Sequence, residues 1–545
     1  MTTQAQLPPL EVSYEDDPRV LEHAAAEDYS LHVAPQSWRS SRGSLNMAYL
    51  ALFSAMAWLV IAATVSLAVG TVNALVGMVL TVVAMGAINY VLTRWGGESG
   101  LNTGLFSRSL FGHAGAALAT LILAATSIYF CVLEGSVIAI ALHSYFGGLS
   151  LELWYLVVVA YSVPIVFRGV RWLDRFNGVL LPFYVLGLIG AVIWAISDFG
   201  YDGAWFSYEP DGGAAVSGPG WLFAFTAYMG AWILMMFTLD YARFSRKEDV
   251  RFHGVVTFGP LFYLATVLIN GLIGIFLAHT IPVEGGVSEI SVVLGIVSMM
   301  GFLGLALIWT SQTRINTANY YVASTGLQSF LARTIRLRLS RPLTAVIVGV
   351  IVYLIMLTDV FSFILDALTY QGIGIVAWVG VALAHIAWLN SRGVRPDQIE
   401  FRSGRLPALN PVGLVALVGP WALGVVLIAA TDTFGATWAA VITFVLAVAI
   451  YSAGVRLAPG AGALARPHDP RGEVDDAWEA RVRCHACSRS YVAHEMDRDP
   501  SARQQAICLE CATESGAYHQ AAGAEARAPR TGPAPEPVVV AGTRD

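Results

Sequence analysis

Residues 411–430 read Pro-Val-Gly-Leu-Val-Ala-Leu-Val-Gly-Pro-Trp-Ala-Leu-Gly-Val-Val-Leu-Ile-Ala-Ala, a run without a single charge. As a helix it would extend about 30 Å, the thickness of the hydrocarbon core of a bilayer. The connection before it holds Arg392, Arg395, Arg402 and Arg405, whereas the short connection after it holds Asp432 and no Lys or Arg. Basic residues collect on the cytoplasmic side of membrane helices, so this run reads as a crossing that starts inside the cell.

The same pattern extends in both directions. Runs of membrane length occur at about 44–70, 73–94, 113–143, 151–168, 177–197, 220–239, 254–279, 296–325, 341–357, 360–390, 411–430 and 434–455, which predicts twelve spans. Arg94 and Arg108 follow the second run, Arg168, Arg171 and Arg175 the fourth, and Arg243, Arg246, Lys247 and Arg251 the sixth. Arg333, Arg336, Arg338 and Arg341 follow the eighth, and Arg456 and Arg466 the twelfth, whereas the odd-numbered connections hold no Lys or Arg. An even number of spans with sorted arginines predicts a multi-pass protein of the plasma or inner membrane with both termini in the cytoplasm.

Composition agrees. Of 545 residues, 56% are hydrophobic and only 13% charged, with mean hydropathy +0.62, too little charge to coat a soluble protein of this size. The N-terminal residues, beginning Thr-Thr-Gln-Ala-Gln-Leu-Pro-Pro, offer neither a basic nor an apolar leader region, so no cleavable signal peptide is expected. The net charge of −6 suggests no nucleic-acid partner.

After Arg456 the chain turns rich in Ala, Gly, Pro and charge. That change predicts a linker over 457–480, a small module over 481–516 and a disordered tail over 517–545, with a cytoplasmic N-terminal tail over 1–43 and the transporter domain over 44–456. Four of the five cysteines lie in the module as Cys484-His-Ala-Cys487 and Cys508-Leu-Glu-Cys511. Two such knuckles separated by twenty residues can bring four thiolates to one tetrahedral Zn²⁺, the zinc-ribbon arrangement, with every position filled and no room for catalysis. A redox dithiol or an iron–sulfur cluster is the competing use of the same sulfurs. A cytoplasmic protein partner for the module is a further expectation.

Within the spans, Glu134, Arg314 and Asp366 are the informative ionisable residues. Each costs roughly 2.5–3.5 kcal/mol at bilayer depth on insertion scales, so each should face a polar cavity or a partner. Arg314 sits in Thr310-Ser-Gln-Thr313-Arg314-Ile-Asn316-Thr317-Ala-Asn319, a stretch too polar for lipid contact. Pairing of Arg314 with Glu134 or Asp366 to lock helices is the plain structural use, and handling of solute or ion the functional one.

Several segments carry a family resemblance: Gly100-Leu-Asn-Thr-Gly-Leu-Phe-Ser-Arg108-Ser-Leu-Phe111-Gly112, Gly230-Ala-Trp232, Asp240-Tyr-Ala-Arg243 and Asn316-Thr-Ala-Asn319. In their order and placement they resemble the nucleobase:cation symporter family one, the purine–cytosine permeases with the allantoin, uracil and hydantoin carriers. The resemblance covers roughly residues 28–455. It implies an all-α LeuT-type fold, two inverted five-helix repeats plus two further helices, with discontinuous first and sixth spans around a midplane site. It also implies that Trp232 stacks on a planar heterocycle, that Asn319 hydrogen-bonds its polar edge, and that Tyr129 is the facing aromatic. The third span reads Tyr129-Phe-Cys131-Val-Leu133-Glu134-Gly135 where the family often has a Trp and an amide, which shifts substrate readout to Glu134. Hydroxyls on the eighth span hold sodium in coupled members. Thr310 and Thr313 fit that role here, but Arg314 follows them, and a fixed guanidinium in the cation's place favours proton coupling or facilitated transport over sodium.

The resulting expectation is a permease, with no enzyme chemistry, that carries a purine, pyrimidine or cyclic ureide by alternating access. Two alternatives stay open: a transporter-fold sensor that signals through the zinc module, and a carrier of the same fold for an amino acid or amine.

Overall fold

The computed structural model describes residues 7–25, 27–282, 289–358, 360–458 and 462–528. The first apolar run forms a bent pair, α1 (Arg42–Tyr49) and α2 (Ala57–Val69), with an angle of 41° across the break. The second is α3 (Thr71–Ser99), followed by a short buried helix, α4 (Thr103–Phe111). Then come α5 (Ala116–Phe146), α6 (Leu151–Ile165) and α7 (Val170–Phe199). The sixth run is a second bent pair, α8 (Gly220–Met229) and α9 (Ile233–Ala242), at 43°. In α10 (Lys247–Thr280) wide turns at His253–Thr257 and Leu264–Ile269 flank Pro260, whose ring removes a backbone donor.

The eighth run corrects the sequence reading. The run 296–325 is not one helix: α11 (Glu289–Met300) ends at Gly301, and the span itself is α12 (Phe302–Thr334). Gly301 has φ +58°, a left-handed conformation that glycine adopts at little cost, so the chain reverses there. The remaining helices are α13 (Arg341–Met356), α14 (Val360–Ser391), α15 (Pro411–Ala430) and α16 (Asp432–Leu457). Among the described residues, eight single helices and the two bent pairs are apolar and long enough to cross a membrane. The polar α12 and the 16-residue α13 complete the twelve runs. Among the described residues, α5 packs along α12; these helices carry Glu134 and Arg314.

Both tails fold back on one end of this bundle. Strand β1 (Val12–Ser13) pairs antiparallel with β2 (Arg481–Arg483), which pairs with β3 (Ser490–Val492), so the N-terminal tail completes the sheet of the cysteine module. A second hairpin joins β4 (Asp497–Asp499) to β5 (Gln505–Ile507), and α17 (Leu509–Glu514) and α18 (Gly516–Arg527) follow. The tail expected to be disordered from 517 is therefore helical to Arg527, because Tyr518 and Ala522 are buried against the module; residues 529–545 lie outside the described residues. The linker expected over 457–480 is also docked. Arg466 pairs with Asp497 at 2.6 Å and Glu525 at 2.7 Å, and Asp469 pairs with Arg402 at 2.6 Å. Charges that would keep an isolated segment solvated here satisfy one another across the fold.

Candidate functional site

The first span breaks without a glycine or proline: residues 50–56 read Leu-Ala-Leu-Phe-Ser-Ala-Met. Tertiary contacts impose the break instead. Arg314 on α12 donates from Nη2 to the carbonyl of Leu50, the C-cap of α1, at 2.9 Å. Ser311 Oγ donates to the carbonyl of Ser54, and the amide of Met56 donates to Gln312 Oε1 at 3.3 Å. Trp58 Nε1 bonds the carbonyl of Leu52 at 2.9 Å. Non-helical backbone at bilayer depth is tolerated only where polar groups satisfy it, and the polar stretch of α12 supplies those groups.

Gln312 also reaches the third span, where its Nε2 donates to the Glu134 carboxylate. A chain of hydrogen bonds thus runs from α5 through α12 to the start of α2. Asn316 Nδ2 contacts the carbonyl of Cys131 at 3.5 Å, and a Cβ placed on Gly135 would meet Asn316 Nδ2 at 3.5 Å and Met356 Cε at 2.7 Å, so the helices close tightly beside Glu134.

The expected site residues fall out as follows. Arg314 is fully buried and makes no ion pair among the described residues; it does not lock onto Glu134, and its one hydrogen bond goes to the Leu50 carbonyl. Its Nε and Nη1 have no partner among those residues. The side chain of Asp366 lies outside the described residues. Thr313 shares a hydrogen bond of 2.8 Å with Tyr161 on α6, so its hydroxyl is committed to that helix, while Thr310 is buried on the same turn. Trp232 caps α9 at the break of the sixth span, buried, with its ring edge-on to Phe444 of α16 at 5.5 Å. Its Nε1, Asn316 Oδ1 and Asn319 Nδ2 are buried without partners among the described residues. Tyr129 is half-buried on α5. Sequence reasoning passed over Ser311 and Gln312, although both stand in the polar stretch beside Arg314; the signal was that polarity, which does not say which backbone the side chains will meet.

The cysteine cluster is compact. One sulfur from each of Cys484, Cys487, Cys508 and Cys511 lies within 4.8 Å of the others. Cys487 and Cys508 are 3.9 Å apart, close to the ~3.8 Å edge of a tetrahedron with Zn–S bonds near 2.3 Å. Backbone amides of Cys508 and Cys511 donate to sulfurs at 3.3 and 3.5 Å, as thiolates at a metal require. An all-sulfur closed set of this kind fits a structural metal.

The module meets the N-terminal segment at His32. Its Nδ1 pairs with Glu495 at 2.8 Å and its Nε2 with Glu510 at 3.4 Å, and its ring stacks on Tyr491 at 4.3 Å. Burial alone would lower the imidazole pKa, but Glu495 and Glu510 outweigh it and push it up to about 10. A raised pKa means that the pair stabilises fully below the ordinary value of 6.5 and is lost as pH rises through 10. The loss of thermal stability caused by His32→Gln, measured on the full chain, should therefore be constant below pH 6.5 and shrink toward pH 10.

A family model described as a permease for cytosine/purines, uracil, thiamine and allantoin matches residues 43–427, more than half of the chain, and leaves the cysteine module outside the match. Among solved structures, the chain is similar to Mhp1, a nucleobase-cation-symport-1 family transporter in a closed conformation with bromovinylhydantoin bound. The TM-score is 0.60 at 15% identity, over 78% of this chain and 94% of that one. The inward-facing conformation of Mhp1 gives 0.61 at 14% identity, over 78% and 93%. MhsT in complex with L-phenylalanine gives 0.50 at 15% identity, over 75% and 99%. No curated protein matches the chain in sequence. At these identities the structures show a shared fold, the LeuT type with its broken first and sixth spans.

Proposed function

Because the chain belongs to the family of permeases for cytosine/purines, uracil, thiamine and allantoin, we propose that it is a secondary transporter that carries a nucleobase-like solute by alternating access. The observation that supports this most is the set of orphaned buried polar atoms at and near the helix breaks: Trp232 Nε1, Asn316 Oδ1 and Asn319 Nδ2. Leaving such a group unpaired costs about 1–3 kcal/mol, which a bound solute relieves. Asn316 and Asn319 are one helical turn apart on α12 and offer one acceptor and one donor, the complement of an adjacent N–H and C=O on a cyclic amide or ureide. In this reading Trp232 and Tyr129 supply ring faces and Glu134 accepts from a further N–H. Uptake of a panel of labelled purines, pyrimidines and cyclic ureides into proteoliposomes tests it; saturable uptake limited to amines or amino acids would overturn it.

The cysteine set holds Zn²⁺ in this reading, through Cys484, Cys487, Cys508 and Cys511, as a structural ion of the tail module. The sorted arginines support a cell-membrane orientation with both termini cytoplasmic. Single cysteines at 205 should then label from outside, and those at 335, 400 and 490 only after permeabilisation; outside labelling at 335 would reverse the topology.

A further inference from the structure

The N-terminal segment ahead of the first span is wedged between two sets of helix ends. On one side Arg243 after α9 donates to the Tyr29 carbonyl at 2.9 Å, Asn102 after α3 to the Ser30 carbonyl at 2.7 Å, and Arg39 to the Ser245 carbonyl at 2.7 Å. On the other side Ser30 Oγ bonds Gln328 of α12 at 3.0 Å and Asp28 pairs with Arg341 of α13 at 2.9 Å. Alternating access opens a midplane site by rocking one helix group against another, so a segment bonded at once to the ends of several spans resists that motion. Segment 27–40 ties the two sets together.

The cysteine module ties this segment down in turn. Glu495 accepts from the amide of Val33 at 2.9 Å and pairs with His32. Glu510 makes the second link: it pairs with His32 at 3.4 Å and with Arg338, on the connection between α12 and α13, at 2.9 Å. Glu510 stands between Cys508 and Cys511, inside the second knuckle. A knuckle this short holds its backbone only while its cysteines are ligated, so metal occupancy sets the place of the Glu510 carboxylate.

We propose that the four-cysteine module is a metal-controlled latch: when metal is bound, Glu510 bridges His32 and Arg338 and holds the cytoplasmic side of the transporter closed, and loss of metal releases it. The latch rests on the alternating-access reading, and it gives the module a regulatory task that the permease fold does not need. Loss of the largely buried His32–Glu510 pair should raise the open population about tenfold or more.

The test is peptide-resolved hydrogen exchange on the full-length protein, with metal content measured in parallel. Stripping metal with phenanthroline should raise exchange over 27–40 about tenfold. Glu510→Gln and Arg338→Ala should do the same while retaining a full complement of metal, which separates the latch from simple unfolding of the module. Unchanged exchange over 27–40 in the stripped protein overturns the proposal. So does a rise on stripping with none in metal-loaded Glu510→Gln, because the bridge would then lie elsewhere. Uptake is read separately: metal-linked exchange in a protein that moves no solute counts against the transport reading, not against the latch.

Discussion

Uptake by the wild-type protein should run at the same rate in sodium and in choline buffers from pH 5.5 to 8, and Arg314→Ala should lower it by about tenfold or more. The last carbonyls of a helix carry a partial negative charge, and the end of α1 at Leu50 lies in the middle of an apolar run of membrane length. The buried Arg314 guanidinium supplies a tethered positive group at that end, bonded to the Leu50 carbonyl at 2.9 Å. The Thr313 hydroxyl, one position before Arg314, is engaged with Tyr161 at 2.8 Å. Removing the guanidinium leaves the helix end bare and a cavity that a small cation can enter, so sodium or added guanidinium should partly restore Arg314→Ala. Arg314→Lys should be a poor substitute, because an ammonium is a strongly hydrated point charge and not a planar fork. Strong sodium dependence in the wild type would sink the idea and return the site to an ordinary sodium symporter.

How much of this was visible in the sequence depends on how local the cause is. The spans were legible because each is a local run of apolar residues. The reversal at Gly301 was missed because apolar residues continue on both sides of it, and only the glycine's positive φ separates α11 from α12. The break at 50–56 carries no local signal at all; Ser311, Gln312 and Arg314, some 260 residues away, create it. The same holds for the tails. Arg481 pairs with Asp16, Arg402 with Asp469 and Arg466 with Asp497, and composition reads each of these charges as solvated because it cannot see a partner far along the chain. The cysteine knuckles were legible because a metal site fixes both residue type and spacing.

If Glu134 reads the solute as proposed, recognition can be separated from architecture at this one residue. Glu134 Oε2 accepts from Gln312, whose own carbonyl oxygen accepts from the Met56 amide at the start of α2. Glu134→Ala deletes the acceptor, leaves the buried Gln312 Nε2 without this partner and loosens the first-span break, at a cost of about 1–3 kcal/mol. Uptake should fall by about tenfold or more for every solute, with lower thermal stability of the full chain. Glu134→Gln keeps an oxygen that can face Gln312, so the break and the expression level should survive. Its second oxygen, however, becomes an NH₂ group, a donor where the carboxylate only accepts. Solutes that present an N–H to this position should lose affinity about tenfold or more, whereas solutes that present a carbonyl should be spared or improved. Measured with one N–H-rich and one carbonyl-rich ring of equal size, the ratio of their affinities should shift between wild type and Glu134→Gln. An unchanged ratio in a protein that still transports both would remove Glu134 from the solute and leave it a structural role beside Gln312.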